Sequence, residues 1–165
     1  MNPLLNKEPV KRAEKAIKAF NSNLEIICLE KTARTAKDAG TALGCNVGAI
    51  VKSLLFKTED NFILCLVSGD KRCSLNKLRN ILNIKDVSMA HPDEVKKITG
   101  YTIGGVSPVG HFNKLKIYID NNLERFTTIF AAAGHPNCVF KTDFKQLTIL
   151  TNGEKKEITE WDNQN

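Results

Sequence analysis

Ile50-Val-Lys-Ser-Leu-Leu-Phe-Lys57 and Phe62-Ile-Leu-Cys-Leu-Val67 flank a polar tetrapeptide, Thr58-Glu-Asp-Asn61. Two short apolar runs around a polar turn read as a β-hairpin. In the first strand Ile50, Lys52, Leu54 and Phe56 share one face, and Val51, Ser53 and Leu55 share the other. Both faces are largely apolar, so the stem of Lys52 is expected to lie in protein. An ammonium so placed is costly unless it is paired or functional. The plain alternative is a lysine that snorkels to the rim of the sheet.

Outward from the hairpin, helices and strands intermingle. Val10, Ala13, Ile17 and Phe20 recur at helical spacing over 8–21, with Lys11, Glu14, Lys15 and Lys18 on the other face. A strand is predicted over 24–29. Thr35 and Asp38 form the signature of a helix start that runs to Gly44. Further helices are predicted over 74–82, over 92–99 with Gly100 as the stop, and over 143–147. Strands are predicted over 87–90, 115–119 and 127–132, and the polar tail 152–165 is expected to fray. Short helices and a hairpin favour an α+β fold, a mixed, curved sheet flanked by helices, over a doubly wound parallel sheet.

The chain has 165 residues, the size of one domain, with a core expected over about 24–150. No apolar run approaches the roughly 18 residues of a membrane span, and charges occupy the N-terminal stretch where a signal peptide needs an apolar core. A cytoplasmic protein without a membrane partner is expected. Five cysteines at irregular spacing, with no Cys-x-x-Cys, read as reduced structural thiols. The formal net charge of +6 favours a polyanionic partner such as RNA, weakly, because the basic residues are spread along the chain.

Besides Lys52, three features could carry chemistry. Gly100-Tyr-Thr-Ile-Gly-Gly-Val-Ser-Pro-Val-Gly110 is neither a dinucleotide fingerprint nor a P-loop. Its backbone N–H groups could bind an anion, or it could be an ordinary connection that needs positive φ. Ser107 lacks the context of a nucleophile elbow. Ala132-Ala-Gly-His135 combines small residues with a titratable ring, although His135 also suits a strand-ending turn. Asp120 ends an apolar strand, a site position that is more often a cap for the following turn. His135 and Cys138 lack further ligands nearby, so no metal and no other cofactor is expected.

Taken together, Thr32-Ala-Arg-Thr-Ala36, Ala42-Leu-Gly44, Ile50-Val-Lys-Ser-Leu54, Ser68-Gly-Asp70, Thr99 to Pro108, Tyr118-Ile-Asp120 and Ala131-Ala-Ala-Gly134 resemble the YbaK/prolyl-tRNA editing domain family. The likeness covers roughly 24–150. It implies a barrel-like mixed sheet and hydrolysis of the ester joining an amino acid to the 3′ end of tRNA, free-standing or within prolyl-tRNA synthetase. Lys52 matches the family's essential lysine, and Gly104 to Pro108 its Gly-x-x-x-Pro loop. On this resemblance Lys52, Gly104, Gly105 and Pro108 are catalytic. Ser53, Val106, Ser107, Asp120, Ala132, Gly134 and His135 bind substrate, and Arg34 contacts tRNA. Ala132 stands where the cysteine-specific branch has Ser.

The implied partners are the acceptor end of an aminoacyl-tRNA, with mischarged tRNA-Pro expected, and prolyl-tRNA synthetase as a candidate. The amino acid removed and the oligomeric state are not legible. Two rival readings remain: a non-catalytic tRNA-binding or synthetase-associated module of the same fold, and a hydrolase of small free esters or thioesters.

Overall fold

The computed structural model describes residues 2–30 and 33–162. Thr32 of the quoted motif and residues 163–165 of the tail lie outside the described residues. The elements that position the site are α1 (Glu8–Phe20), β1 (Ile26–Cys28), α2 (Ala36–Leu43), β2 (Ile50–Lys57), β3 (Phe62–Ser68), β4 (Lys71–Cys73) and α3 (Leu75–Leu82). They continue with β5 (Ser88–Met89), α4 (Pro92–Thr99), β6 (Lys116–Asp120), β7 (Ile129–His135), β8 (Cys138–Thr142), α5 (Phe144–Thr151), β9 (Glu154–Lys156) and β10 (Thr159–Trp161).

The main sheet runs β1-β8-β7-β2-β3-β6-β9, with β5 added beside β2, and β4 with β10 forms a separate ribbon. The sheet is mixed: β2 is antiparallel to β3 and parallel to β7, and β6 is parallel to β3 and β9. This is the α+β class that the patterning implied. Along β3, Leu64 and Leu66 enter the main core, while Ile63, Cys65 and Val67 pack on the opposite face with Phe56 and Tyr118. A strand covered on both faces reads as a continuous apolar run.

Helix boundaries follow local chemistry. Thr35 Oγ1 accepts the Asp38 N–H at 3.1 Å to open α2, and Gly44 ends it with φ +67°. The apolar stripe of α1 (Val10, Ala13, Ile17) is buried against the main core.

Two regions differ from the sequence reading. The strand expected to stop at Ala132 continues to His135 through a bulge between Ala132 and His135, then returns as β8. Two extra residues, Ala133 and Gly134, break the alternation that marks a strand. The tail does not fray over its described part. β9 pairs with β6, β10 pairs with β4, and Ile158 between them is fully buried.

Candidate active site

The parallel pair β2–β7 is bonded only at Ile50–Phe130 and Val51–Ala131. Beyond Val51 the two strands part. β5 joins the same edge of β2 further on, at Phe56–Met89, with the Ala90 N–H donating to Leu55 O at 3.0 Å. Among the described residues, Lys52 to Leu54 have no strand partner on that edge. A cavity of about 390 Å³ opens there, within the usual range of small-molecule sites. Because the sheet is interrupted, Lys52 and Ser53 both line it although they leave β2 on opposite faces. Crevices where parallel strands diverge are common ligand positions in open sheets.

Gly104 and Val106 form part of the wall, with Ala132 of β7, Pro136 just past its end, Arg34 just before α2 and Lys37 in its first turn. The loop that carries Gly104 is a β-turn closed by the Gly105 N–H on Thr102 O at 3.0 Å. Gly104, at the third position, has φ +89°, the geometry a type II turn demands. A Cβ on Gly105 would stand 2.9 Å from His135 Cα, so only glycine fits against the end of β7. The Gly134 N–H donates to Gly105 O at 3.0 Å and ties loop and strand together.

The rest of the loop is clamped. Arg12 of α1 donates to Gly100 O at 2.6 Å and to Gly110 O at 3.2 Å. Its guanidinium lies 4.3 Å from the Tyr101 ring centre and 4.4 Å from that of Phe112. The Tyr101 hydroxyl donates to Val109 O at 2.8 Å, and burial pushes its pKa up to about 12. His111 Nε2 lies 2.7 Å from Ser107 O, an acceptor, so this nitrogen carries the proton. Burial pushes the His111 pKa below the usual histidine value.

Lys52 Nζ donates to Lys71 O on β4. Burial pulls its pKa below the ordinary lysine value, opposed by the charges of Asp162, Asp70 and Asp120 and by Cys73. Asp70 is held by both terminal nitrogens of Arg125, at 2.7 and 3.1 Å. Burial raises its pKa, but hydrogen bonds from Arg125 and Ser68 outweigh that and leave it below the usual carboxylate value. Ser53 Oγ is shut off from solvent and has no hydrogen-bond partner among the described residues. The described residues contain no group of three or more His, Cys, Asp or Glu side chains that could hold a metal ion.

The expected site residues therefore separate. Lys52, Ser53, Gly104, Val106, Ala132 and Arg34 line one cavity, with Arg34 exposed. Gly105 lies behind the wall with its N–H engaged, and Pro108 is buried and has no N–H to offer. Ser107 is fully buried, and its Oγ accepts the Val109 N–H at 3.2 Å, so it braces the loop and does not face the cavity. Gly134 is buried under α1. His135 stands beside the cavity, with Nδ1 accepting the Asn137 N–H at 3.0 Å, and Pro136 takes the lining position.

Asp120 is corrected from a substrate ligand to a structural anchor. It is fully buried and accepts from Ser68 N, Asn122 N, Asn122 Nδ2 and Thr159 Oγ1 at 2.8–3.1 Å. Sequence reasoning missed Arg12 and Arg125, single arginines without a motif. It also missed Asp162, which reaches the cavity from the end of β10.

The chain matches the family model of the aminoacyl-tRNA editing domain over residues 30–149. It belongs to that family. Its similarity to proline--tRNA ligase of Caldicellulosiruptor bescii is 31% identity over 72% of this chain and 22% of the ligase. The chain thus spans about a fifth of the length of that relative. EbsC of Enterococcus faecalis, named provisionally as a Cys-tRNA(Pro)/Cys-tRNA(Cys) deacylase, is 27% identical over 76% of this chain and 77% of its own. A crystal structure named provisionally as a trans-editing enzyme for prolyl tRNA synthetase superposes with a TM-score of 0.88. It is 36% identical and covers 93% of this chain and 98% of its own. No helix among the described residues is long and apolar enough to cross a membrane.

Proposed function

We propose that this chain is an aminoacyl-tRNA deacylase that acts in trans on mischarged tRNA-Pro, without a metal ion, beside prolyl-tRNA synthetase. The observation that carries the reading is that Lys52, Gly104 and Val106 line one cavity at the parting of β2 and β7. Among the hydrogen bonds of the described residues, none is donated by the Gly104 or Val106 N–H. The tRNA and partner readings draw support from the family match and from the names of the relatives.

An aminoacyl ester is already activated, so no strong nucleophile is needed. Water attacks the carbonyl carbon, and negative charge builds on the carbonyl oxygen. The amides of Gly104 and Val106 stabilise that charge, each donor contributing on the order of 3 kcal/mol in a preorganised site. An ordinary lysine is already protonated at neutral pH and so is not available as a general base; as a cation Lys52 polarises the ester or holds the terminal phosphate. The ester C–O bond then breaks. The ribose oxygen leaves as a hydroxyl with one proton of the attacking water, and the amino acid departs as its carboxylate after the second proton passes to solvent. Arg34 and Lys37 at the mouth face the acceptor end, which makes affinity salt-dependent.

The test is a panel of alanyl-, cysteinyl-, seryl- and threonyl-tRNA-Pro with prolyl-tRNA-Pro as the control, with and without exhaustive chelation. Release of at least one wrong amino acid, unaffected by chelator and faster than release of proline, is the expected result. Binding of tRNA with no release from any member of the panel would establish the non-catalytic module instead.

A further inference from the structure

We propose that Cys28 and Cys138 form a reversible oxidation site, closed to a disulfide by a peroxide, that locks the edge strand β1 to β8. Both thiols are free in the structure. The site stands apart from the ester chemistry and does not depend on it.

Three observations converge on the pair. First, the register of the antiparallel strands β1 and β8 sets Cys28 directly opposite Cys138. The Leu29 N–H donates to Asn137 O at 2.7 Å one step along, so Cys28 and Cys138 form a non-hydrogen-bonded pair. Such pairs hold their Cα atoms about 4.5 Å apart with both side chains on one face, here toward the main core, and a disulfide bridges that span. Second, the two thiols are already in hydrogen-bond contact. Third, they differ in access: Cys28 is half-buried on the terminal strand of the sheet, and Cys138 is fully buried. The other close pair, Cys65 and Cys73, stands on strands of separate sheets, with Cys65 sealed in the smaller core.

The difference in access orders the chemistry. Burial, with Cys28 alongside, pushes the Cys138 pKa up to about 12, so Cys138 keeps its proton and Cys28 meets the oxidant. The Cys28 sulfur, as its thiolate, attacks one oxygen of hydrogen peroxide and the O–O bond breaks. Cys28 becomes a sulfenic acid, and the departing hydroxide takes up the proton that the thiol released, giving water. The Cys138 sulfur then attacks the Cys28 sulfur, its proton passes to the departing hydroxide, and a second water leaves. Two thiols are oxidised to one disulfide, and the peroxide is reduced to two waters. The bond fastens a three-residue edge strand to β8, whose Val139 lines the cavity. Asn137, just before Cys138, also accepts the Ala33 N–H on Oδ1 at 3.3 Å, and Ala33 and Arg34 line the cavity. The lock therefore sits where the chain leads from the sheet edge to the mouth of the cleft.

The experiment treats the folded protein with a small excess of hydrogen peroxide, alkylates the remaining thiols and maps the peptides by mass spectrometry. The expected product has lost two hydrogens, joins Cys28 to Cys138, and returns to the starting mass with dithiothreitol. Cys138→Ser is expected to stop at a Cys28 sulfenic acid that dimedone traps, and Cys28→Ser to keep Cys138 reduced. Amide hydrogen exchange at Leu29 is expected to slow by about tenfold on oxidation, as the short edge strand is tied down. A link between Cys65 and Cys73 in place of this one, no link at all, or oxidation of Cys138 in Cys28→Ser as fast as in the parent overturns the site. An unchanged exchange rate at Leu29 in the linked protein overturns the lock.

Discussion

The glycine-loop wall of the cleft, residues 100–110, is held by Arg12 of α1, by the Tyr101 and His111 side chains, and by the Gly134–Gly105 backbone bond. The opposite wall ends in β10, a three-residue strand paired to another three-residue strand, with Glu160 and Trp161 exposed. Its side-chain contacts include the surface pair Arg72–Glu160 at 2.8 Å and the ammonium of the buried Lys71, 3.2 Å from the Trp161 ring centre. Donors that meet a developing oxyanion act best when they need no reorganisation, which the over-determined wall provides. The account therefore places rate on the clamped wall and Lys52.

The largest expected effect is at Lys52, where both walls meet. Lys52→Ala should lower single-turnover deacylation by about 100-fold or more, roughly 2.7 kcal/mol, with circular dichroism showing an intact fold. Lys52→Arg should also be poor, because a planar guanidinium does not replace a compact ammonium. A folded Lys52→Ala protein within a few-fold of the parent would remove Lys52 from the chemistry. The lowered pKa of Lys52 also sets a direction for the pH profile. Once background hydrolysis is subtracted, activity that needs the ammonium should fall on the alkaline side at a pH below the ordinary lysine value of about 10.5.

Next comes the clamp. Arg12 touches no substrate group and acts as a positioning residue. Arg12→Ala should lower kcat by about tenfold with KM nearly unchanged, the pattern of a misplaced transition-state donor. A change in KM alone would show that the loop binds substrate and does not stabilise the transition state. On the other wall, Trp161→Ala should change kcat little and lower stability in urea denaturation by about 1 kcal/mol, the scale of a cation–aromatic contact. If the two variants exchange these patterns, the division between the walls is wrong.

How much of this was legible follows from the same contrast. The 50–67 hairpin was legible because both strands are apolar and the turn is polar, and the lysine inside it marked the cleft. The glycine loop was legible as a feature, but not the state of its amides. That Gly105 has its N–H engaged depends on Thr102 and the end of β7. Arg12 lies on an ordinary amphipathic helix, where one more basic residue gives no signal. β9 and β10 were read as a frayed tail because edge strands are polar; only Ile158 and Thr159 there are buried. Asp120 fitted both a ligand and a cap, and only its four donors decide between them.

The smallest expected effect concerns pH and the clamp. His111 is buried neutral with a lowered pKa, so its contribution to stability is complete above the unfolded value of about 6.5. That contribution is lost as pH falls through the lower folded value. Urea denaturation at pH 7.5 and pH 5 should show a smaller loss in His111→Gln than in the parent. An identical loss would mean that His111 takes no part in the acid sensitivity.

The central claim is that the parting of β2 and β7 holds the reacting ester. The most direct measurement is an amide-shift map of the isotope-labelled protein titrated with a non-hydrolysable 3′-aminoacylamino-adenosine. The account predicts that the largest shifts fall on Gly104, Val106 and Ser53, with the Lys52 side chain perturbed. Shifts centred instead on the second depression, lined by Lys57, Arg79, Lys85 and His91, would contradict it.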